Sequence, residues 1–384
     1  DAVNFNGSSG TFAFDNVSAV AGKAFVFAST TSAATVTAQD VSSSTNSAVD
    51  ISAAGTTDFS FHSVNSGTAA AGATGSGVSV QTAGDISVTG TGSTAGSGGT
   101  LRHAGKHGLL ASSVTSLSLK NMVFTQNGSS QNVPGSDATC GGDLRSGNNL
   151  QCVAGIMLVN AGGIALDNVS VTNNAQMGIN GNNVSGFTLT NAVVSNNGNE
   201  AFENGLTLQN VFGVADLTNV VMTDNAARQI YVSNSVSNAL TFNLSGTAGS
   251  TWLGHTAPLG ALTQQALLFE GLGNANMTLN VDGVIFANHR PQNAVDVQMM
   301  GNAVLGGHVN SSTFSTNVAA IAVATQNAAG GKFNLSGNTI SQASLQGIVY
   351  AAAVPSTGTL QATIANNTFN GCIAGTNCNG IQVD

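Results

Sequence analysis

The stretch from Gly155 to Asn225 limits the folds open to this chain more than any other part of the sequence. It runs GIMLVNAGGIALDNVSVTNN from Gly155, GINGNNVSGFTLTNAVVSNN from Gly178 and GLTLQNVFGVADLTNVVMTDN from Gly205. Each copy opens with Gly and an apolar residue and continues into a short apolar strand and a small-residue linker. A second strand ends at or just before Asn, a third follows, and Asn-Asn or Asp-Asn closes the unit. The openings lie 23 and 27 residues apart. Three short strands and three bends, repeated at a nearly fixed period, predict a solenoid in which each coil buries its apolar side chains against its neighbours.

Composition agrees. The 384 residues include only 8 basic and 17 acidic ones, with 42% hydrophobic residues, 48 Gly and 4 Pro. Disordered chains combine low hydrophobicity with high charge, and this one has neither. Val/Ile/Leu/Phe runs alternate with period two between Gly, Asn and Ser, which predicts strands and turns. No amphipathic pattern of three helical turns occurs. The expected fold is all-β: a right-handed, single-stranded parallel β-helix of about fourteen coils, stacked ~4.8 Å apart into a rod roughly 70 Å long. With no Pro-rich linker or charge run to divide it, residues 1–384 are expected to form one solenoid.

Along the chain, residues 1–100 show only loosely similar strands, such as Thr11–Phe14, Ala24–Phe27 and Phe59–Phe61, with the Phe pairs expected to point inward. Residues 101–384 are expected to form regular coils with loop insertions at 128–153 and 246–266, the second carrying the only Trp, Trp252. Asn121, Asn168, Asn191, Asn219, Asn310 and Asn338 follow second strands, with Asn366 or Asn367 as a further candidate. They are expected to turn the bends there, since Asn tolerates the left-handed conformation and stacked amides can bond from coil to coil. The N-terminal DAVNFNGSSGTFAFDN looks like the end of a repeat, and Gly380–Val383 like the start of one. The chain is therefore expected either to continue into further coils or to associate end to end.

Four cysteines form two local pairs, Cys140 with Cys152 and Cys372 with Cys378. Neither pair has zinc-ligand spacing, so two disulfides are expected, each closing a loop. In the chain-entropy model such a closure stabilises by up to ~3 kcal/mol. Disulfides place the chain in an oxidising compartment outside the cytoplasm. A net charge of −9 argues against nucleic acid and anionic membrane surfaces as partners. No apolar run approaches the ~20 residues of a spanning helix, and no membrane insertion is expected. No signal peptide begins at Asp1, so any export signal is expected beyond it or already removed.

Pairs of carboxylates would be needed for polysaccharide cleavage. Hydrolysis requires two ~5–9 Å apart, and lyase chemistry requires several on Ca²⁺ with a neighbouring Arg or Lys. Asp167, Asp216, Asp224, Glu270, Asp282 and Asp296 occupy different places in their coils and are not expected to line up. Glu200 and Glu203, with Asp224 and Arg228 a coil later, are the densest acidic group, with an Asp224–Arg228 surface pair as the simpler alternative. Arg102–His107 and His289-Arg290 are expected to be polar turns, although the first could hold an acidic glycan. Asn127, Asn168, Asn183, Asn243 and Asn366 stand in Asn-x-Ser/Thr sequons, several at bends where the side chain should be tucked in. No cofactor or metal pattern is present.

The Gly-Ile/Leu…Leu-x-Asn-Val/Ala-x-Val-x-Asn-Asn unit, as in Gly155–Asn174 and Gly178–Asn197, resembles the right-handed parallel β-helix repeats of the pectate-lyase-like superfamily. With its Gly/Ser/Thr/Asn bias, the chain looks like the β-helical regions of large secreted bacterial surface proteins, including autotransporter passengers and giant repeat adhesins. The likeness covers residues 101–384 well and 1–100 loosely. It implies an extracellular or cell-surface structural role, as a stalk, adhesin rod or fibre subunit without catalytic residues, with surface glycans as possible partners. The alternative is a polysaccharide-binding or polysaccharide-degrading β-helix enzyme, because this architecture hosts both.

Overall fold

The computed structural model describes residues 1–7, 9–28, 33–129, 152–247, 249–256, 264–289, 292–372 and 378–384, with backbone alone at 353–355. Among these residues every regular element is a β-strand. The strands pair in parallel into a β-solenoid of about 12 turns. The count falls below fourteen because many coils, before and after it, are longer than the copy at Gly155. Ile230 pairs with Leu267, 37 residues on, and Val295 with Ile321, 26 residues on. The chain divides into two compact units, Asp1–Glu200 and Ala201–Asp384.

In the first unit, Phe5, Phe27, Ile51, Val80, Ala111 and Leu158 occupy one register column, each paired with the next. A column on the second sheet runs Phe12, Val36, Phe59, Ile86, Leu117, Ile164 and Phe187. From Phe27 and Val36 onward these side chains are buried. Period-two alternation sends them all to the inside, and a slip of one residue would turn the whole set to solvent. The loosely similar segments of residues 1–100 therefore share the register of the later coils. The inward Phe pairs are present there: the rings of Phe27 and Phe59 meet edge to face at 5.2 Å between centroids.

The second unit repeats the scheme. Leu208, Val232, Phe269, Val297, Val323 and Tyr350 form one inward column. Met222, Leu253, Phe286, Phe314 and Ile340 form another. The rings of Phe286 and Phe314 stack at 4.9 Å with only 4° between their planes. The strand Trp252–Gly254 pairs with Val221–Thr223 on one side and Ile285–Ala287 on the other. Trp252 thus belongs to the wall, not to an insertion at 246–266. Three residues ending in Gly carry too little alternation to be recognised as a strand. Residues 257–263 of that insertion lie outside the described residues, as do 130–151 of the insertion at 128–153.

The bends after the second strands form a column of left-handed residues: Asn121 (φ 58°), Asn168 (53°) and Asn191 (52°) in the first unit, Asn219 (55°) and Asn366 (56°) in the second. At the other two predicted positions the left-handed residue is a neighbour, Ser311 (51°) beside Asn310 and Gly337 (65°) beside Asn338. The correction is one residue in each case. Asn310 ends its strand and accepts a bond from Ser336 Oγ at 2.7 Å. Asn338 is buried, and its Oδ1 accepts from the Ser312 amide at 3.0 Å. Small or flexible residues at 311 and 337 take the bend, which frees the adjacent Asn for other bonds.

One glycine is fixed by contact as well as conformation. Gly307 has φ 112°, and a Cβ there would lie 2.0 Å from the Leu279 carbonyl oxygen of the adjacent strand. Gly307→Ala is expected to lower the unfolding free energy by about 2 kcal/mol, through backbone strain and a forced local separation of two coils. Urea unfolding measures it.

Candidate functional site

The predicted acidic positions go to different places. In the first unit Asp167 sits 3.6 Å from Lys120 on the exposed surface. In the second, Asp216, Asn243, Asn280 and His308 occupy successive positions of one outward column. Asn243 donates to Asp216 Oδ1 at 2.6 Å and Asn280 to Asn243 Oδ1 at 2.8 Å. Asp282 ends the strand Asn276–Asp282, 3.0 Å from His308 Nε2. Asp224 faces His255 at 3.5 Å and accepts from the Thr256 amide at 2.9 Å. Arg228 donates to Gln265 Oε1 at 3.0 Å and lies over the Tyr231 ring at 5.2 Å. The structure thus gives Asp224 and Arg228 separate partners where the sequence suggested a surface pair. Glu203 is buried, and Glu200 is partly exposed at the end of the first unit.

Glu270 and Asp296 do share a surface. Leu268 pairs with Asp296 and Glu270 with Gln298, so the two carboxylates are diagonal neighbours on the outward face of adjacent strands. Both are buried, because Ile230–Asn234 and Leu267–Gly271 are covered on both faces. Tyr231 Oη donates to Glu270 Oε2 at 2.6 Å. Gln265 and Asn293 donate to Asp296 Oδ2 at 3.1 and 3.4 Å. Burial raises the Asp296 carboxyl above its ordinary range, opposed by the hydrogen bonds from Gln265, Gln298 and Asn293 and by the Arg228 charge. Burial and the Glu270 carboxylate likewise push the Tyr231 hydroxyl upward. Each carboxylate is thus held by named donors inside the wall. Tyr231→Phe removes the 2.6 Å bond to Glu270 and is expected to cost about 2 kcal/mol of stability, read from urea midpoints.

Two other predicted polar turns behave differently. His103 is a left-handed bend residue (φ 54°), as expected, whereas His107 Nδ1 accepts the Ala154 amide at 3.2 Å. Burial and nearby Lys106 lower His107 to about 4. His289 is no turn residue: it ends the strand Ile285–His289 and is wholly buried, with its ring 5.1 Å from that of His255, also buried. Its partner in the motif, Arg290, lies outside the described residues. Cys372 and Cys378 form a disulfide. Cys152 is buried, and Cys140 lies outside the described residues. Of the sequon asparagines, Asn127 is buried, but Asn183 and Asn366 are exposed at their bends.

One feature of the first unit escaped sequence reasoning. After each third strand comes a second left-handed column: His103 (φ 54°), Gln126 (57°), Asn173 (55°) and Asn196 (53°). The register places them on consecutive coils, since Arg102 pairs with Thr125 and Thr125 with Thr172. The Asn173 amide reaches the Ser195 carbonyl in the same way. Immediately inside lies a buried amide ladder. Asn127 donates through its backbone amide and its Nδ2 to Asn174 Oδ1 at 3.1 and 3.0 Å. Asn174 donates in the same way to Asn197 Oδ1 at 3.1 and 2.8 Å. A groove of about 410 Å³ lies over this corner, lined by His103, Gln126, Asn127, Asn173, Asn174 and Asn196, among others. A second, of about 420 Å³, shares His103 and Ser129 with it and extends to Ala70–Thr74. The pairing Asn173-Asn174 and Asn196-Asn197 was the available signal, an outer amide followed by an inner one.

Fold and corner geometry define a parallel β-solenoid with stacked amide ladders. The sequence matches no known protein family, and no curated protein matches it. A solved structure described as the Streptococcus pneumoniae surface protein and adhesin PfbA aligns with 97% of this chain and 91% of its own, at 10% identity and a TM-score of 0.22. A likeness that slight carries no argument. Among the described residues no helix is long and apolar enough to cross a membrane.

Proposed function

We propose that the protein is an extracellular structural element of a bacterial cell surface, a stalk or adhesin rod that carries out no bond-breaking chemistry. The observation that supports this most is the use made of its interior polar groups. Asn127, Asn174 and Asn197 in the first unit bond coil to coil, and so do Asn338 and Asn367 in the second, at 2.9 Å. The buried carboxylates Glu270 and Asp296 are held by Tyr231, Gln265 and Asn293. Polar groups stacked along a solenoid resist shear between coils, which suits a load-bearing surface element. The Cys372–Cys378 disulfide fits an oxidising location. Antibody raised against the purified chain should label intact, unpermeabilised cells, and surface proteolysis should remove the signal. Labelling only after permeabilisation would refute the surface assignment.

A further inference from the structure

We infer that the outer row His103, Gln126, Asn173 and Asn196 of the first unit is a binding groove for an extended, uncharged polysaccharide. The row lies at one corner, one residue per coil, at a spacing of ~4.8 Å. Four positions therefore span roughly 14 Å, and each step is close to the length of one hexose in an extended β-linked chain. A glycan laid parallel to the stack would meet one polar side chain per sugar.

The state of these side chains separates a binding row from a structural one. Elsewhere on the first unit the bend amides are used internally: Asn168 donates to Asn121 Oδ1 at 2.6 Å and Asn183 to Asn160 Oδ1 at 2.7 Å. Within the groove, the inner amides Asn127 and Asn174 are likewise engaged in their ladder. Gln126, Asn173 and Asn196 are exposed, and neither they nor His103 make a side-chain hydrogen bond to another described residue. Left-handed backbone preference accounts for Asn at such bends, but it gives no reason for Gln126.

Ligand class follows from the lining. Each carboxamide offers a donor and an acceptor side by side, which matches the paired hydroxyls of a sugar ring. His103 adds a flat ring at one end, where the first groove meets the second. Among the described lining residues there is no carboxylate, Lys or Arg, so none of them selects a charged chain. The inner ladder holds the floor rigid, which lowers the entropic cost of binding.

The test is affinity electrophoresis and calorimetry of the full chain with neutral hexasaccharides, cellohexaose and chitohexaose, and with hexagalacturonate as the acidic comparison. Binding to a neutral probe is expected to strengthen with length up to about four sugars and then level off, as the row of four implies. The triple variant Gln126→Gly, Asn173→Gly, Asn196→Gly keeps the left-handed bends without strain and should weaken binding roughly hundredfold, as expected for three lost hydrogen-bonding groups. Asn183→Gly, at an exposed bend off the row, should leave binding unchanged. Circular dichroism and thermal melts confirm that both variants fold. Absence of binding to every neutral probe, undiminished binding by the folded triple variant, or stronger binding of hexagalacturonate would overturn the inference. None of these outcomes bears on whether the chain is displayed at the cell surface.

Discussion

Replacing Asn174 with alanine is expected to lower the unfolding free energy by about 4 kcal/mol, more than any other single change among the bend and ladder asparagines. Asn174 is 2% exposed and bonds in three directions. Its Oδ1 accepts two donors of Asn127, and its Nδ2 reaches Asn197 Oδ1 and the Phe124 carbonyl. Alanine would leave at least two buried donors without an acceptor, each worth ~1–3 kcal/mol, and would open a gap where water has little access. Asn174→Leu should be nearly as damaging, because apolar volume replaces none of the bonds. The exposed Asn191, whose backbone is left-handed and whose Nδ2 donates to Asp167 Oδ1 at 3.3 Å, should lose only about 1 kcal/mol on change to alanine, because water can take the place of a bond at the surface. Urea unfolding of the three variants checks the order, and a loss below about 1 kcal/mol at Asn174 would contradict the ladder's role.

Stability should fall steeply as the solution is acidified from pH 6.5 toward 4, through His289 and His255 and, in the first unit, His107. Burial, reinforced by the neighbouring His255, lowers His289 from 6.5 to about 3. Burial also lowers His255, opposed by Asp224 at 3.5 Å. The folded state keeps both rings neutral while the unfolded chain takes up protons below 6.5. Their contribution is therefore complete above pH 6.5 and is lost as pH falls toward the folded values. Each histidine fully in that window contributes a slope of about 1.4 kcal/mol per pH unit. By pH 4, His289 alone should cost about 3 kcal/mol. Asp296 acts in the opposite sense: its raised carboxyl contributes stability that is complete below 3.8 and is lost as pH rises through its folded value, so it offsets part of the histidine loss. Chemical unfolding at pH 7, 5.5 and 4 reads the slope, and His289→Asn should reduce it by about one proton. A stability that stays flat across that range would contradict the burial of a neutral histidine pair.

The solenoid was legible because it rests on short-range pattern: Gly155–Asn225 shows strand alternation and bend residues three times over. Details that depend on exact register were not. Ser311 and Gly337 take bends that the neighbouring Asn310 and Asn338 marked only approximately, because several small residues can turn the same corner. Trp252–Gly254 is a wall strand too short to show a period. His289, beside Arg290 and Pro291, carries the composition of a turn, yet parallel pairing with Asn317 draws it inside. Glu270 and Asp296 share a face only because a coil of 28 residues brings their strands into register. The outer row of the groove was hidden for the same reason. Gln126 and Asn173 are 47 residues apart, and His103 has no chemical likeness to the carboxamides beside which the register places it.

The central claim is that the chain is a scaffold whose polar interior holds coils together and breaks no bonds in what it meets. Incubation of the purified protein with uronic-acid and neutral polysaccharides, with and without Ca²⁺, tests this most directly. Reducing ends and the ultraviolet absorbance of unsaturated products are followed over a day. The account predicts no product above the protein-free control on any substrate. Release of shortened or unsaturated chains, lost on substitution of Glu270 or Asp296, would contradict it.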